Sequence, residues 1–150
     1  MQPARREILI FELGGRRFGL HAGQVRELVR AASTVPLPLA PAVVEGVLNL
    51  RGRIVPVLDV RAQLGLPAKG AEPSDHLIIT SSRGNLVALR VDRAVDLVAL
   101  HEADLGEDGE GRAACVAKLA DGIAPILGED LLLSQSDSAA LRALLPEEAG

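Results

Sequence analysis

Three histidines, one cysteine and scattered carboxylates are the side chains of this 150-residue chain with the reactivity for acid–base, nucleophilic or metal chemistry. His21, His76 and His101 lie far apart, and none stands at metal-ligand spacing from a cysteine or carboxylate. Cys115 has no histidine beside it and reads as a small core residue. There is no Gly-x-Ser-x-Gly elbow, no phosphate-binding Walker loop and no Gly-x-Gly-x-x-Gly after a strand. The pairs Glu129-Asp130 and Glu147-Glu148 read as a solvated face and a tail. The sequence therefore predicts no catalytic residue, no metal site and no cofactor.

One residue does stand out. Arg51 separates two apolar runs, Val43 to Leu50 and Ile54 to Val60, and is followed by Gly52, which permits the positive φ of a tight turn. The reading is a hairpin with Arg51 at its tip, where a planar guanidinium fork suits recognition of a carboxylate. Pro56 inside the second run lacks an N–H, which predicts an edge strand or a bulge there.

The elements that must position this tip are mostly short strands. Ile8 to Leu13 turns at Gly14-Gly15 and pairs back through Arg17 to Leu20. Val25, Leu28 and Val29 stand at helical spacing, so Gly23 to Val29 is expected to form one or two helical turns. Pro36, Pro38 and Pro41 make an extended connector. A second hairpin joins His76 to Thr80 with Leu86 to Val91, and Val95 to Leu100 reads as another strand. Glu107 to Arg112 is acidic and glycine-rich, a mobile loop. Val116 to Leu119 and Ile123 to Leu127 form a last strand pair around Asp121-Gly122. A helix is expected from Asp137 to Leu145, capped by Ser136 or Asp137 and ended by Pro146, with a frayed tail beyond. Ile54-Val55-Pro56-Val57-Leu58 and Ile123-Ala124-Pro125-Ile126-Leu127 match in type at every place, 69 positions apart. That echo favours two similar β lobes, and many short strands suit small barrels.

Composition narrows the classes of function. Phe11 and Phe18 are the only aromatics, so stacking platforms for bases or sugars are missing. Net charge is −4 with the arginines dispersed, which argues against nucleic acid as a partner. A single cysteine fits a reducing compartment. The charge-free run near the start, Ile8 to Phe11, is too short for a signal-peptide core, and no run approaches membrane-spanning length. A cytoplasmic protein with no direct membrane insertion is expected.

The stretch Val44-Glu45-Gly46-Val47-Leu48-Asn49-Leu50-Arg51-Gly52-Arg53-Ile54-Val55-Pro56-Val57-Leu58-Asp59-Val60-Arg61 closely resembles the CheW family, the coupling proteins of bacterial chemotaxis. The resemblance extends from Phe11-Glu12-Leu13-Gly14 through Val25-Arg26-Glu27-Leu28 and Val91-Asp92-Arg93-Ala94-Val95-Asp96-Leu97-Val98 to Leu133, covering residues 8 to 133. It implies a mainly β fold of two packed SH3-like five-stranded barrels; a single domain is expected, with residues 134–150, beyond the resemblance, as a C-terminal helix and tail. It also implies an adaptor linking the cytoplasmic tips of chemoreceptors to the regulatory domain of a CheA-type histidine kinase. On that resemblance Arg51, Glu27 and Val25 are receptor-binding residues, and a Glu27–Arg51 ion pair is expected to aim the arginine. Gly46, Asn49, Gly52, Pro56 and Asp59 belong to the same motif as turn and structural residues. The kinase-binding face stays unassigned, because residues 111–122 match the family poorly. The alternative is a small-molecule sensor domain with a ligand cleft between its lobes.

Overall fold

A computed structural model of the chain describes residues 5–30, 33–101, 104–106, 115–128 and 132–146. Ten strands account for most of it: β1 (Arg5–Leu13), β2 (Arg16–His21), β3 (Val25–Arg30), β4 (Val44–Leu50), β5 (Arg53–Leu58), β6 (His76–Ser82), β7 (Asn85–Val91), β8 (Arg93–His101), β9 (Cys115–Leu119) and β10 (Gly122–Ile126). One helix, α1 (Gln135–Leu144), follows. The strands form two five-stranded sheets, in the orders β8-β1-β2-β10-β9 and β3-β6-β7-β5-β4.

The two orders are the same arrangement written twice. Replacing β1 to β5 by β6 to β10 in sequence order turns one sheet into the other. The register agrees to the residue: Leu97 opposes Leu9 and Leu28 opposes Ile78, while Gly19 opposes Ile126 and Ala88 opposes Val57. Each equivalent pair is 69 positions apart, the spacing of the sequence echo, which thus extends over all ten strands. Neither lobe is built from one half of the chain. β1 and β2 join β8, β9 and β10, whereas β6 and β7 join β3, β4 and β5. The chain crosses between lobes at Ala22–Gln24, a single 3-10 turn, and again at the equivalent Asp92.

Each sheet also closes in the same way. Beyond β3, Val35 exchanges two backbone hydrogen bonds with Val47 on β4, both 2.8 Å. Beyond β8, Leu105 bridges Ala117 on β9. Closure of this kind leaves little strand edge for aggregation.

Continuous apolar runs in β1 and β6 follow from burial on both faces. Ile8 and Ile10 point into one barrel with Ala117, Ala124 and Ile126; Leu77 and Ile79 point into the other with Val55, Val57 and Ala88. The alternate residues Leu9, Phe11 and Ile78 enter a third core shared by the lobes. The two aromatics meet there, with ring centroids 6.1 Å apart. Gly19 is required by the tight first barrel: a Cβ on it would lie 2.7 Å from Ile126 Cδ1 and 2.8 Å from Ile8 Cγ2.

Three expectations are corrected. The segment expected to be helical is β3, in which Val25, Glu27 and Val29 are half-buried and Arg26, Leu28 and Arg30 exposed. That period of two, imposed by pairing with β6, overrides a spacing that also fits a helix. Pro56 lies neither on an edge strand nor at a bulge: β5 runs between β7 and β4, and the irregularity falls at Val44/Gly46 on β4. The two-residue turn makes Leu50–Arg53 a hydrogen-bonded pair, so Val47–Pro56 is a non-bonded one. Val47 accordingly spends its backbone groups on Val35, and the missing N–H of Pro56 breaks no rung with β4. Helix α1 begins two residues earlier than expected, because Ser134 and Asp137 form a reciprocal capping box. The acidic loop 107–112, the pair 129–130 and the tail 147–150 lie outside the described residues.

Candidate functional site

The β4–β5 hairpin turns on Arg51 (φ 50°) and Gly52 (φ 90°), the two positive φ values of a type I′ turn. Holding an arginine in the left-handed region costs about 1–2 kcal/mol. Asn49 helps to fix the turn, its Oδ1 accepting the Gly52 N–H at 2.7 Å. The guanidinium then meets a carboxylate from β3. Arg51 Nη1 donates to Glu27 Oε2 at 2.9 Å, and Nη2 donates to Oε1. This is the bidentate fork geometry that fixes direction as well as distance.

The Arg51 side chain is 69% exposed and that of Glu27 32%, so the pair stands at the surface. The hydrogen bond from Arg51 holds the Glu27 carboxyl below its ordinary range, and the bond to Glu27 raises the Arg51 guanidinium above its own. The two remain charged at neutral pH. The ion pair expected on the family resemblance is thus present. The fork that would suit an outside carboxylate is already engaged by one from its own chain.

The remaining motif residues form a scaffold for this tip. A Cβ on Gly46 would lie 2.8 Å from the Val35 carbonyl oxygen, so a side chain there would push apart the contact that closes the lobe. Asp59 donates its N–H to the Val43 carbonyl at 2.8 Å, and its Oδ1 accepts the Arg61 N–H at 3.1 Å. Pro56 is buried in β5. Val25 shares β3 with Glu27 but packs half-buried against the core between the lobes.

The sequence assigned no role to a second ion pair, Arg61–Asp92. Arg61 is nearly buried and its Nη2 donates to Asp92 Oδ1, while Asp92 Oδ2 accepts the Gly14 N–H at 2.9 Å. Asp92 N–H in turn donates to the Glu12 carbonyl at 2.9 Å. This aspartate, at the second crossover, therefore holds the β1–β2 turn of one lobe and the segment after β5 of the other. Partners 31 positions apart leave no local sequence signal.

The reactive residues stay apart. His76 Nδ1 accepts the Ala94 N–H at 2.9 Å, a structural use. Among the described residues no three metal-ligating side chains gather. The space between the lobes is filled by the shared core. A groove of about 490 Å³ lies elsewhere, where Ile54 and Pro56 of β5 face Leu141 of α1 and Leu145. No helix among the described residues is long and apolar enough to cross a membrane.

Comparison with known proteins agrees with this fold. The chain is 33% identical over 135 residues to the chemotaxis protein CheW of Rhizobium meliloti, covering 89% of this chain and 86% of that protein. It is 29% identical over 105 residues to the chemotaxis protein CheW of Bacillus subtilis, covering 70% and 67%. The crystal structure of the scaffolding protein TtCheW from Thermoanaerobacter tengcongensis superposes with a TM-score of 0.74 at 26% identity, covering 84% of this chain and 89% of that one. The CheW-like domain family model matches residues 7–137, and the chain belongs to that family.

Proposed function

We propose that this chain is a non-catalytic adaptor of a chemotaxis or related chemosensory pathway, coupling the cytoplasmic tips of chemoreceptors to the regulatory domain of a CheA-type histidine kinase. The observation that carries this reading is the exposed guanidinium of Arg51, fixed at a rigid turn and aimed by Glu27 from a neighbouring strand. Membership of the CheW-like family supplies the pathway. A coupling protein must offer separate contact surfaces on one stiff body, and two closed barrels joined through a common core meet that need. Each contact is expected to be modest in area, with strength gained from many copies in a membrane-associated receptor array.

The reading places Arg51, Glu27 and the rim of Val25 in the receptor contact. Arg51→Glu should keep the circular dichroism spectrum and melting temperature of the parent. It should abolish co-purification with a receptor signalling-tip fragment while leaving co-purification with the kinase regulatory domain intact. Unchanged receptor binding in a folded Arg51→Glu protein would overturn the assignment. A ligand cleft between the lobes is disfavoured by the apolar side chains that occupy that space.

A further inference from the structure

Strand β3 carries two kinds of residue. Glu27 and Val29 turn towards the barrel, whereas Arg26, Leu28 and Arg30 are exposed. Leu28 is 46% exposed although it opposes the fully buried Ile78. Arg26 is the extra residue of a bulge between Val25 and Glu27. Among the described residues neither Arg26 nor Arg30 has an ion-pair partner. Arg17, Arg51, Arg61, Arg90 and Arg93 are each paired with a carboxylate, while Arg5 and Arg16, like Arg26 and Arg30, have no ion-pair partner among the described residues. In a chain of net charge −4, two uncompensated arginines on either side of an exposed leucine are a distinct local feature.

The internal duplication supplies a control for the ordinary explanation, that charges merely guard an outer strand. The strand equivalent to β3 in the other lobe is β8, and the equivalents of Arg26, Leu28 and Arg30 are Val95, Leu97 and Ala99, 69 positions on. These three are also exposed, Leu97 at 53%. The same backbone position in the same topology thus does without charge. The fold does not ask for the arginines of β3.

We infer that Arg26, Leu28 and Arg30 form a docking stripe for an acidic amphipathic helix of the receptor, on the outer face of the strand that carries Glu27 of the Arg51–Glu27 fork. This rests on the reading of that fork as the receptor contact and adds the chemistry of what meets it. Arg26 and Arg30 are four residues apart, about 11–12 Å along a strand shortened by the bulge at Arg26. A helix matches that distance with carboxylates about seven to eight residues apart on one face and an apolar side chain between them to cover Leu28. Arg51 is neutralised by Glu27, so the attraction for carboxylates comes from the stripe and not from the fork. Charge complementarity of this exposed type acts on partner choice and encounter rate, and salt screens it.

The test uses the full chain and a receptor signalling-tip fragment, with binding measured by titration calorimetry between 50 and 500 mM NaCl. The double variant Arg26→Glu/Arg30→Glu should bind about tenfold or more weakly at low salt and lose most of the salt dependence shown by the parent. Arg26→Gln/Arg30→Gln should fall between, and Leu28→Ser should weaken binding without changing the salt slope. Melting temperatures of all variants should stay within a few degrees of the parent, since these side chains are exposed. If Arg51→Glu abolishes binding while both double variants bind like the parent, the stripe is only a solvated strand and the inference fails with the fork reading intact. If Arg51→Glu binds normally, the fork reading itself fails. Salt-sensitive self-association of the parent through these residues, without receptor, would also overturn the proposal.

Discussion

Asp92 is the point at which a small change should be felt by the whole molecule. Its carboxylate takes the Arg61 guanidinium from one lobe and the Gly14 N–H from the other. The Arg61 side chain is 9% exposed and that of Asp92 25%. Asp92→Ala leaves a nearly buried guanidinium with no other carboxylate at ion-pair distance among the described residues. Removing one member of a buried pair costs about 3–5 kcal/mol, and the partial exposure of Asp92 brings this down to about 2–3 kcal/mol. The Gly14 N–H sits where water can replace the lost acceptor and adds about 0.5 kcal/mol. A total of about 3 kcal/mol corresponds to roughly 6–12 °C in melting temperature for a domain of this size. Urea and thermal melts of Asp92→Ala, Arg61→Met and the double variant would measure it. Arg61→Met should cost less than Asp92→Ala, because the carboxylate left behind keeps Gly14 and some water. The double variant should be more stable than Asp92→Ala, since it no longer buries a lone charge. An Asp92→Ala protein melting within 2 °C of the parent, or strictly additive effects in the cycle, would refute the inter-lobe clamp.

Gly46→Ala should destabilise by about 1–3 kcal/mol, because the new Cβ meets the Val35 carbonyl of a backbone that cannot swing aside; chemical denaturation would show it, and a neutral result would mean that the Val35–Val47 closure is dispensable. The Glu27 carboxyl is held below its ordinary value of 4.5 by the hydrogen bond from Arg51. A depressed acid contributes above its unfolded value and loses that contribution as pH falls through its folded value, so receptor binding should be flat from pH 8 to about 5 and decline only in more acid solution. A decline centred near pH 6 to 7 would point to a histidine instead.

Much of the hairpin layout was legible because each turn carries its own chemistry. Arg51-Gly52, Ser82 to Asn85 and Asp121-Gly122 each stand between apolar runs, and each is a turn in the structure. β3 was misread because Val25, Leu28 and Val29 satisfy a helical template that its alternating exposure does not obey. Pro56 was misplaced because a missing donor excludes a hydrogen bond but not a central strand, provided the residue sits in a non-bonded pair. The Glu27–Arg51 pair came from the family resemblance and not from spacing: the two are 24 positions apart on different strands. Arg61–Asp92 had no signal of any kind, since its meaning depends on a crossover that only the topology reveals.

An echo such as that between Ile54 to Leu58 and Ile123 to Leu127 would suit one barrel per half of the chain. The sheet orders say otherwise: each barrel takes two strands from one half and three from the other. Residues 5–58 alone would hold β1 and β2 without β8, β9 and β10, and β3 without its neighbour β6. Ile8 and Ile10 would then face water instead of Ala117, Ala124 and Ile126. Either half expressed alone, 1–75 or 76–150, should therefore show no cooperative melt, whereas mixing them should restore β structure and a single transition by circular dichroism. A first half that folds cooperatively by itself would mean that the strands can pair within it, and the exchange would then be incidental. The lobes are in turn tied by two short crossovers, at Ala22–Gln24 and Asp92, and by the core they share, so they cannot drift apart without exposing that core. A pull on the Arg51 tip is then carried through β4 and β5 into a body whose two ends are parts of one closed weave.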